Sequence, residues 1–296
     1  MTNKIPEFKG TLLIEIPAFI PSVNFLEGDF GKAVLEEYRG RAKKDYGNAS
    51  ALNVLSYDHG IVKGSNPFAV ALVNQIISEE GLRTATQADL ERIIKVNALP
   101  LRGQYEDSGL VLRTKDNPNE YFAKNLMVQI KARNPKAKMP AMISLFELKL
   151  VLDMNSPYNL GFKIKDSAQI FYDLSVLNKE GNFSSEDTDE KIGLPKKTGS
   201  EGNRPLYIRG SGLSELCLSR DLRFFSFYGD LAGSDGDGRV VVVSAKSTAK
   251  ILELYMSQLQ EERASREAKL TSRFDTAKKI IDKAYKQAED SLRTSN

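Results

Sequence analysis

The pattern of hydrophobic and polar positions along the chain switches between the period of a strand and the period of a helix. Residues 11–16 form an apolar run that ends at Pro17, which indicates a first strand. The segment that follows, up to about Asn48, is rich in Gly, Lys and Tyr and is predicted to be a loose connection. The two periods together predict a mixed α+β protein.

Two helix starts are evident in the next segment. Asn66 and Pro67 open a helix whose apolar positions recur at a spacing of about 3.6 residues. Thr86 caps a second helix, with the acidic Asp89 at its third position. Neither helix carries polar residues at a spacing that suggests a site, so both are predicted to be scaffold.

The middle of the chain combines two further capping signals with short strands. Asn117 is predicted to cap a third helix, with Pro118 at its first position and Glu120 able to reach back to the cap. Ser144 and Glu147 form a capping box that predicts a short helix over residues 145–152, although the apolar density alone would indicate a strand there. The remaining pattern predicts short strands over 161–165 and 169–176, an exposed loop over 178–203, and a buried strand over 240–243.

From Lys246 onward the sequence contains neither glycine nor proline, which is typical of a long helix. A charged patch over residues 261–269 interrupts its heptad-like apolar stripe. Two interpretations stay open: an amphipathic helix packed on its own domain, or a coiled coil with another copy or a partner. The stripe consists of Leu252, Tyr255, Leu259, Leu270, Phe274, Ala277, Ile281 and Ala284.

Composition changes this picture in two ways. The chain has 296 residues and a net charge of only +3, from 42 basic and 39 acidic side chains spread along it, which disfavours nucleic acid as the main ligand. The single cysteine excludes an intramolecular disulfide and fits a reducing compartment.

Residues 11–20 are interrupted by Glu15 and Pro17 and lack a basic lead-in, so we expect a strand rather than a signal peptide. With no apolar run of about 20 residues to span a membrane, we expect a cytoplasmic or virion-associated protein.

The sequence contains none of the usual catalytic sets. His59 is the only histidine, so there is no Ser–His–Asp triad and no His–Cys zinc site, and its place beside Gly60 indicates a turn. Cys217 lies between Leu216 and Leu218, where a lone cysteine usually acts as a small hydrophobic residue. No glycine-rich phosphate loop is present. We therefore expect binding rather than catalysis, with no cofactor.

Three aspartates near the end of the β-rich region raise the question of a calcium loop. Asp230, Asp235 and Asp237 alternate with glycines, and oxygen ligands on a flexible turn suit that ion. Their spacing does not match an EF-hand, and the terminal glutamate of such a loop is absent. A turn between two strands accounts for the same residues, and no metal site is predicted.

Residues 204–243 combine a regular apolar frame with positions that follow no hydrophobic pattern. The frame consists of Leu213, Leu216, Leu218, Leu222, Phe224, Leu231 and the closing valines. Phe225 and Phe227 fall opposite Phe224 if the segment is a strand. One interpretation is a strand buried on both faces. The other is a surface of aromatic and charged side chains that loops display on a rigid frame, as binding proteins build recognition sites.

The order of elements resembles the C-type-lectin-like fold, and most of all its formylglycine-generating-enzyme branch. The features that carry the resemblance are the helix from Pro118, a Met-Pro pair with a second short helix, a loop-rich middle and a closing Gly-Arg-Val-Val-Val strand. Residues 210–237 resemble the variable region of proteins diversified by diversity-generating retroelements. In that family a reverse transcriptase randomises adenine-containing codons, and the lectin-like fold displays the products as a ligand-binding surface.

The resemblance covers about residues 105–245 and departs from the family in two respects. The variable-looking segment is not at the C-terminus, because a helical tail follows it. The enzyme branch of the fold uses a pair of cysteines with copper, whereas this sequence has one cysteine, so that activity is not implied.

The sequence therefore predicts three parts: a small α/β accessory domain over residues 1–104, a C-type-lectin-like ligand-binding domain over 105–245 and a helical tail over 246–296. The expected ligand is an unidentified macromolecule, in the first instance a protein, with homo-oligomerisation through the tail as a further expectation. The alternative is a structural protein, for example in a virus particle, that assembles through its helices and tail. The residues predicted for the ligand-binding surface are Glu215, Cys217, Ser219, Arg220, Asp221, Arg223, Phe225, Phe227, Tyr228, Gly229, Asp230, Gly233, Asp235 and Asp237.

Overall fold

The computed structural model describes residues 23–244 and 248–294. The chain divides into two compact units, Met1–Ala245 and Lys246–Asn296. The first is a mixed α+β unit with several sheets, and the second is helical, so the predicted α+β class is confirmed. The strand predicted at residues 11–16 lies outside the described residues.

The described helices and strands are as follows in chain order. The helices are α1 (Gly28–Asp45), α2 (Pro67–Ile77), α3 (Gln87–Val96), α4 (Glu120–Arg133) and α5 (Thr248–Thr294). The strands are β1 (Val23–Phe25), β2 (Ser56–Asp58), β3 (Ile61–Lys63), β4 (Leu82–Thr84), β5 (Tyr105–Leu112), β6 (Ala141–Ser144), β7 (Leu148–Leu152), β8 (Leu160–Ile164), β9 (Ile170–Phe171), β10 (Gly181–Phe183), β11 (Arg204–Ile208), β12 (Leu213–Leu218), β13 (Phe224–Ser226), β14 (Gly238–Arg239) and β15 (Val241–Ser244).

The main sheet of the first unit runs in the order β10-β11-β13-β12-β5-β6-β9, with β14 also paired to β5. A smaller sheet has the order β1-β15-β4, and β2-β3 and β7-β8 form separate pairs. Because β5 and β12 are central, their aliphatic residues are fully buried. We call residues 210–237 the candidate segment. Its two strands, β12 and β13, lie in the middle of the main sheet.

Apolar packing lies on both sides of this sheet. Helix α2 is buried on nearly every side, because its sequence is apolar all round. Its Phe68 stacks on Phe162 with ring centroids 4.8 Å apart and meets Phe122 edge-on at 5.6 Å. A second apolar cluster includes Leu216, Leu218 and Phe224 from the candidate segment. The frame predicted from the sequence is therefore part of the core.

Strand β15 joins the beginning of the first unit to its end. Val241, Val242 and Val243 are buried, which confirms the buried strand predicted from the valine run. Its two neighbours are β1, where Val23 pairs with Val243, and β4, where Thr84 pairs with Val242. The predicted division at residue 104 therefore falls inside one compact unit, whereas the predicted division at 245 coincides with its end.

Two of the predicted helix starts are confirmed in detail. The Asn66 side chain accepts a hydrogen bond from the Ala69 amide at 2.8 Å, and Pro67 is the first residue of α2. At α3, the Thr86 hydroxyl accepts from the Asp89 amide while the Asp89 carboxylate accepts from the Thr86 amide, which forms a complete capping box.

The segment predicted to be loose contains α1, and that prediction was wrong. Its buried residues Val34, Leu35, Tyr38 and Ala42 recur at helical spacing. The many Lys, Arg and Glu residues between them form the exposed side of the helix and hid this stripe in the sequence. The strand predicted over 169–176 is also shorter than expected, since only β9 forms there.

The short helix predicted over residues 145–152 was wrong as well. The segment contains one 3-10 turn, Leu145–Glu147, followed by β7. The Glu147 carboxylate accepts a hydrogen bond from the Gln169 amide at 3.2 Å and does not close the capping box. Leu148 and Leu150 are buried at alternate positions, so the apolar pattern of a strand prevails. One element of the lectin-like order is thus a strand instead of a helix.

Helix α4 begins at Glu120 instead of Pro118, so its predicted cap at Asn117 was also wrong. Asn119 has a left-handed backbone with φ 61°, and its side chain does not cap the helix. The amide of that side chain instead donates to the carbonyls of Leu213 at 2.9 Å and Gly229 at 2.8 Å. Asn119 therefore ties the start of α4 to both ends of the candidate segment.

The second unit consists of α5, which confirms the prediction of a helical tail. Leu270, Phe274 and Ile281 of the predicted stripe are exposed in it. The side chains of Leu252, Tyr255 and Leu259 lie outside the described residues. Within the described part of the chain, no helix is long and apolar enough to cross a membrane.

Candidate functional site

The candidate segment is buried on both faces along β12 and alternates between buried and half-buried positions in β13. In β12 and β13, Leu218 pairs with Phe224, and Cys217 pairs with Phe225. Residues opposite one another share a face of the sheet. Leu218 and Phe224 belong to the second core cluster, whereas Phe225 is only half-buried. Leu216, Leu218 and Phe224 of the frame thus share one face of these strands, whereas Glu215, Cys217 and Phe225 share the other face with Leu213 of the frame.

Most of the predicted residues surround one pocket of about 260 Å³ on this face. Arg220, Tyr228, Asp230 and Asp235 are exposed around it, whereas Glu215 and Cys217 are buried within the wall. Only Tyr105 and Ser234 among the lining residues were missed from the sequence. The lining residues are Tyr105, Glu215, Cys217, Ser219, Arg220, Tyr228, Asp230, Gly233, Ser234 and Asp235.

A row of aromatic rings extends from the pocket across β13 and β11. We define this aromatic row as Tyr207, Phe225, Tyr228 and Phe227. Phe225 stacks on Tyr207 at 4.9 Å and on Tyr228 at 5.3 Å between ring centroids. Phe227 meets Tyr228 edge-on, and the two are 45% and 47% exposed. Aromatic planes displayed in this way offer a large contact area with few rotatable bonds.

Two exposed ion pairs flank the pocket and the aromatic row. Arg220 pairs with Asp237 at 3.0 Å, and Arg223 pairs with Asp221 at 3.3 Å. Exposed pairs of this kind contribute little to stability, because solvent screens them and their long side chains lose freedom. A ligand could therefore contact these four charged side chains, and break their ion pairs, with little loss of stability.

The remaining predicted residues form the turns that close the site. The carbonyl of Gly229 accepts from Asn119, and a side chain at this position would collide with the Arg209 guanidinium. The Asp230 carboxylate accepts from the Ala232 amide at 3.1 Å, as expected of a turn. Asp230, Asp235 and Asp237 do not come together as a set of metal ligands among the described residues, which favours the turn over the calcium loop.

Tyr105 organises the pocket wall from β5. Its hydroxyl donates to the Ser65 carbonyl at 2.9 Å and accepts from the Asp235 amide at 2.9 Å. Ser234 reaches the same group, with its Oγ 3.1 Å from the hydroxyl. Burial raises the pKa of Tyr105, so the hydroxyl stays a donor at neutral pH. The sequence held no signal for this role, because the wall forms only when β5 meets the 233–237 turn.

Acidic groups are buried beneath the pocket. Burial raises the pKa of Asp107 to about 6. Burial, together with the charges of Asp107 and Asp230, raises the pKa of Glu215 well above its usual range. Burial, together with the charges of Glu215 and Asp107, raises the pKa of the Cys217 thiol. A neutral Cys217 agrees with the expectation of a small hydrophobic residue, but its acidic surroundings were not predicted.

Two buried arginines, neither predicted from the sequence, fix the frame. Arg113 donates to the Ser214 and Ser226 hydroxyls, both at 2.9 Å, and so ties β12 to β13. Arg204 forms two hydrogen bonds to the Glu91 carboxylate, at 2.7 and 2.8 Å, and its guanidinium lies 4.8 Å from the centre of the Phe224 ring. Charged residues are usually exposed, so nothing in the sequence indicated that Arg113 and Arg204 are buried.

Comparisons of the chain with protein-family models, with curated proteins and with solved structures find no match.

Proposed function

We propose that the chain is a non-catalytic binding protein whose residues 215–237 form a ligand-binding surface on a C-type-lectin-like fold, diversified by a retroelement. The observation that carries this proposal is the division of one segment into two classes. Its regular positions, such as Leu216, Leu218 and Phe224, are buried, while most of its irregular positions, such as Arg220, Arg223 and Phe227, are at least partly exposed; Glu215 and Cys217 are the two irregular positions that are buried. A binding surface that varies needs such a division, because the fold must tolerate the variation.

The chemistry of the surface suits a protein ligand. Tyr, Phe and Arg are the side chains that dominate protein interfaces, where they combine apolar area with a polar group. Here the aromatic row supplies the area, and Arg220 and Arg223 supply charge beside it. The pocket of about 260 Å³ lies just below the usual range for ligand cavities, so it fits one inserted side chain better than a whole cofactor.

The DNA around the gene tests the diversification directly. We expect a reverse transcriptase gene nearby, together with a near-identical template copy of the segment that encodes residues 210–237. Mismatches between the two copies should fall only at template adenines. If sequencing of the locus finds neither the reverse transcriptase gene nor the template, the diversification part of the proposal is wrong.

A second candidate function, assembly through the tail, is favoured by one observation. Leu270, Phe274 and Ile281 follow a heptad spacing on α5 and are exposed. An isolated helix gains little stability from its own propensity, so an apolar stripe on a helix of 47 residues calls for a partner. Another copy of the chain would supply an identical stripe.

We expect full-length protein to form a concentration-dependent oligomer that the double substitution Phe274→Asp with Ile281→Asp makes monomeric. The physical reason is that a carboxylate in the seam of a coiled coil loses its water without a partner charge. Ser272→Asp with Thr276→Asp adds the same charge away from the stripe and should leave the oligomer intact. Sedimentation velocity over a range of concentrations measures all three proteins, and a wild-type monomer throughout would contradict self-assembly.

A further inference from the structure

Three groups with metal-binding atoms meet beneath the pocket. Asp107, Glu215 and Cys217 are all buried, and a carboxylate oxygen of each acid and the thiol sulfur lie within 4.8 Å of one another. Glu215 and Cys217 also line the pocket, so the cluster is accessible from it. Among the described residues, this is the one such group of three.

An irregularity in strand pairing brings the three residues together. Glu215 and Cys217 are two positions apart on β12 and share a face. Leu216 pairs with Gly109, but Cys217 pairs with Asp107, so Ser108 is an extra residue on β5 at this point. Directly opposed residues share a face, and the bulge therefore turns Asp107 toward Glu215 and Cys217. Bulges are found next to functional sites because they redirect a side chain in this way.

The two carboxylates lack the partners that buried acids normally have. Asp107 is 6% exposed; its Oδ2 accepts from the Ser65 hydroxyl at 2.6 Å, while its Oδ1 is buried without a hydrogen-bond partner. Glu215 is 9% exposed, and none of the described side chains or amides donates to its carboxylate. Neither acid forms an ion pair with a described Lys or Arg. Buried carboxyl groups without an ion-pair partner are either protonated or bound to a cation.

We propose that Asp107, Glu215 and Cys217 bind one zinc ion at the floor of the pocket. Zinc accepts thiolate and carboxylate ligands together, at about 2.3 Å to sulfur and 2.0–2.2 Å to oxygen, whereas Ca²⁺ and Mg²⁺ prefer oxygen alone. Three atoms that all lie within 4.8 Å of one another also lie within about 2.8 Å of a common point, so each ligand moves by less than about 1 Å to reach bonding distance.

A zinc ion held by three protein ligands keeps a fourth position for another donor. Glu215 and Cys217 line the pocket, so water, or a carboxylate or imidazole of a bound partner, would reach the fourth position from the pocket. Glu215 and Cys217 also belong to the proposed ligand-binding surface, so the inference rests on that surface for these two residues. The metal titration and the comparison of the gene with its template copy are separate measurements, and either can fail without the other.

Cobalt titration of the reduced, chelator-treated full-length protein tests the site. Cys217 is the only cysteine, so a thiolate-to-cobalt charge-transfer band can come from no other residue. We expect one equivalent of Co²⁺ to produce the band and Zn²⁺ to displace it. Free Zn²⁺ at 100 times its Kd should raise Tm by roughly 5 °C or more.

Substitutions distinguish the side chains that bind zinc from those that do not. Cys217→Ser should abolish the cobalt band, and Glu215→Gln should weaken Co²⁺ binding more than about tenfold, since even the loss of a ligand's outer partner has that effect. Glu186→Gln, an exposed control of the same chemistry, should bind as the wild type does. Glu215→Gln replaces a buried carboxyl group with an amide of similar size, so the variant should still fold. Its melting curve without metal checks this. A wild type without a band or a Tm rise, or a band that survives Cys217→Ser, would overturn the proposal and leave these acids held neutral by protons.

Discussion

Phe224→Ala is expected to destabilise the protein by about 3–5 kcal/mol, whereas Phe227→Ala should change the free energy of unfolding by about 1 kcal/mol at most. Phe224 is 0% exposed, and its ring centroid lies 4.9 Å from that of Phe183. Its truncation leaves a cavity and removes the ring beneath the Arg204 guanidinium. Phe227 is 45% exposed, and its loss removes mainly the contact with Arg209 at 5.3 Å.

Urea denaturation of the two variants beside the wild type measures this difference. The two residues are three positions apart in one segment and undergo the same chemical change, so each is the control for the other. Phe225→Ala should fall between them, because its ring is half-buried in the aromatic row. Equal losses at Phe224 and Phe227 would mean that the segment is buried on both faces, the interpretation that competes with a displayed surface.

Glu91→Gln is expected to cost about 3–5 kcal/mol of stability, because it leaves the Arg204 guanidinium buried without its anion. Both side chains of this pair are buried, and the carboxylate accepts two of the arginine's hydrogen bonds. The pair joins α3 to β11, and the Arg204 Nε also donates to the Leu222 carbonyl at 2.7 Å. The substitution therefore weakens the link between α3 and β11 that supports the frame.

Glu79→Gln is the matched control for this substitution. Glu79 also pairs with an arginine, Arg41, but its side chain is largely exposed, so its loss should cost between about 0 and 1 kcal/mol. Thermal unfolding, followed by circular dichroism, compares the two variants. If the Glu91→Gln and Glu79→Gln proteins had the same Tm, the buried pair would not stabilise the frame.

The sequence was informative wherever a local pattern decides the structure. The caps at Asn66 and Thr86 predicted two helices because a cap needs only its own helix. The valine run at 240–243 predicted a buried strand, because successive branched apolar residues indicate a strand that is covered on both faces. The capping box at Ser144 misled for the same reason: the local signal existed, but burial of Leu148 and Leu150 in a strand outweighed it.

The sequence was uninformative wherever distant segments meet. Tyr105 joins the pocket only because β14 pairs with β5, and Tyr207 joins the aromatic row only because β11 runs parallel to β13. Asp107 reaches Cys217 through a bulge that no spacing in the sequence encodes. Arg113 and Arg204 are buried among partners up to 113 residues away. Side chains of this kind become visible only when the strand order is known.

A codon-by-codon comparison of the gene with its template copy shows whether residues 215–237 vary while the frame stays fixed. We expect amino-acid differences at exposed positions such as Arg220, Arg223 and Phe227, and none at the buried Leu218 and Phe224. A locus without a template copy would contradict this expectation. So would differences that are as frequent at codons for buried residues as at codons for exposed residues.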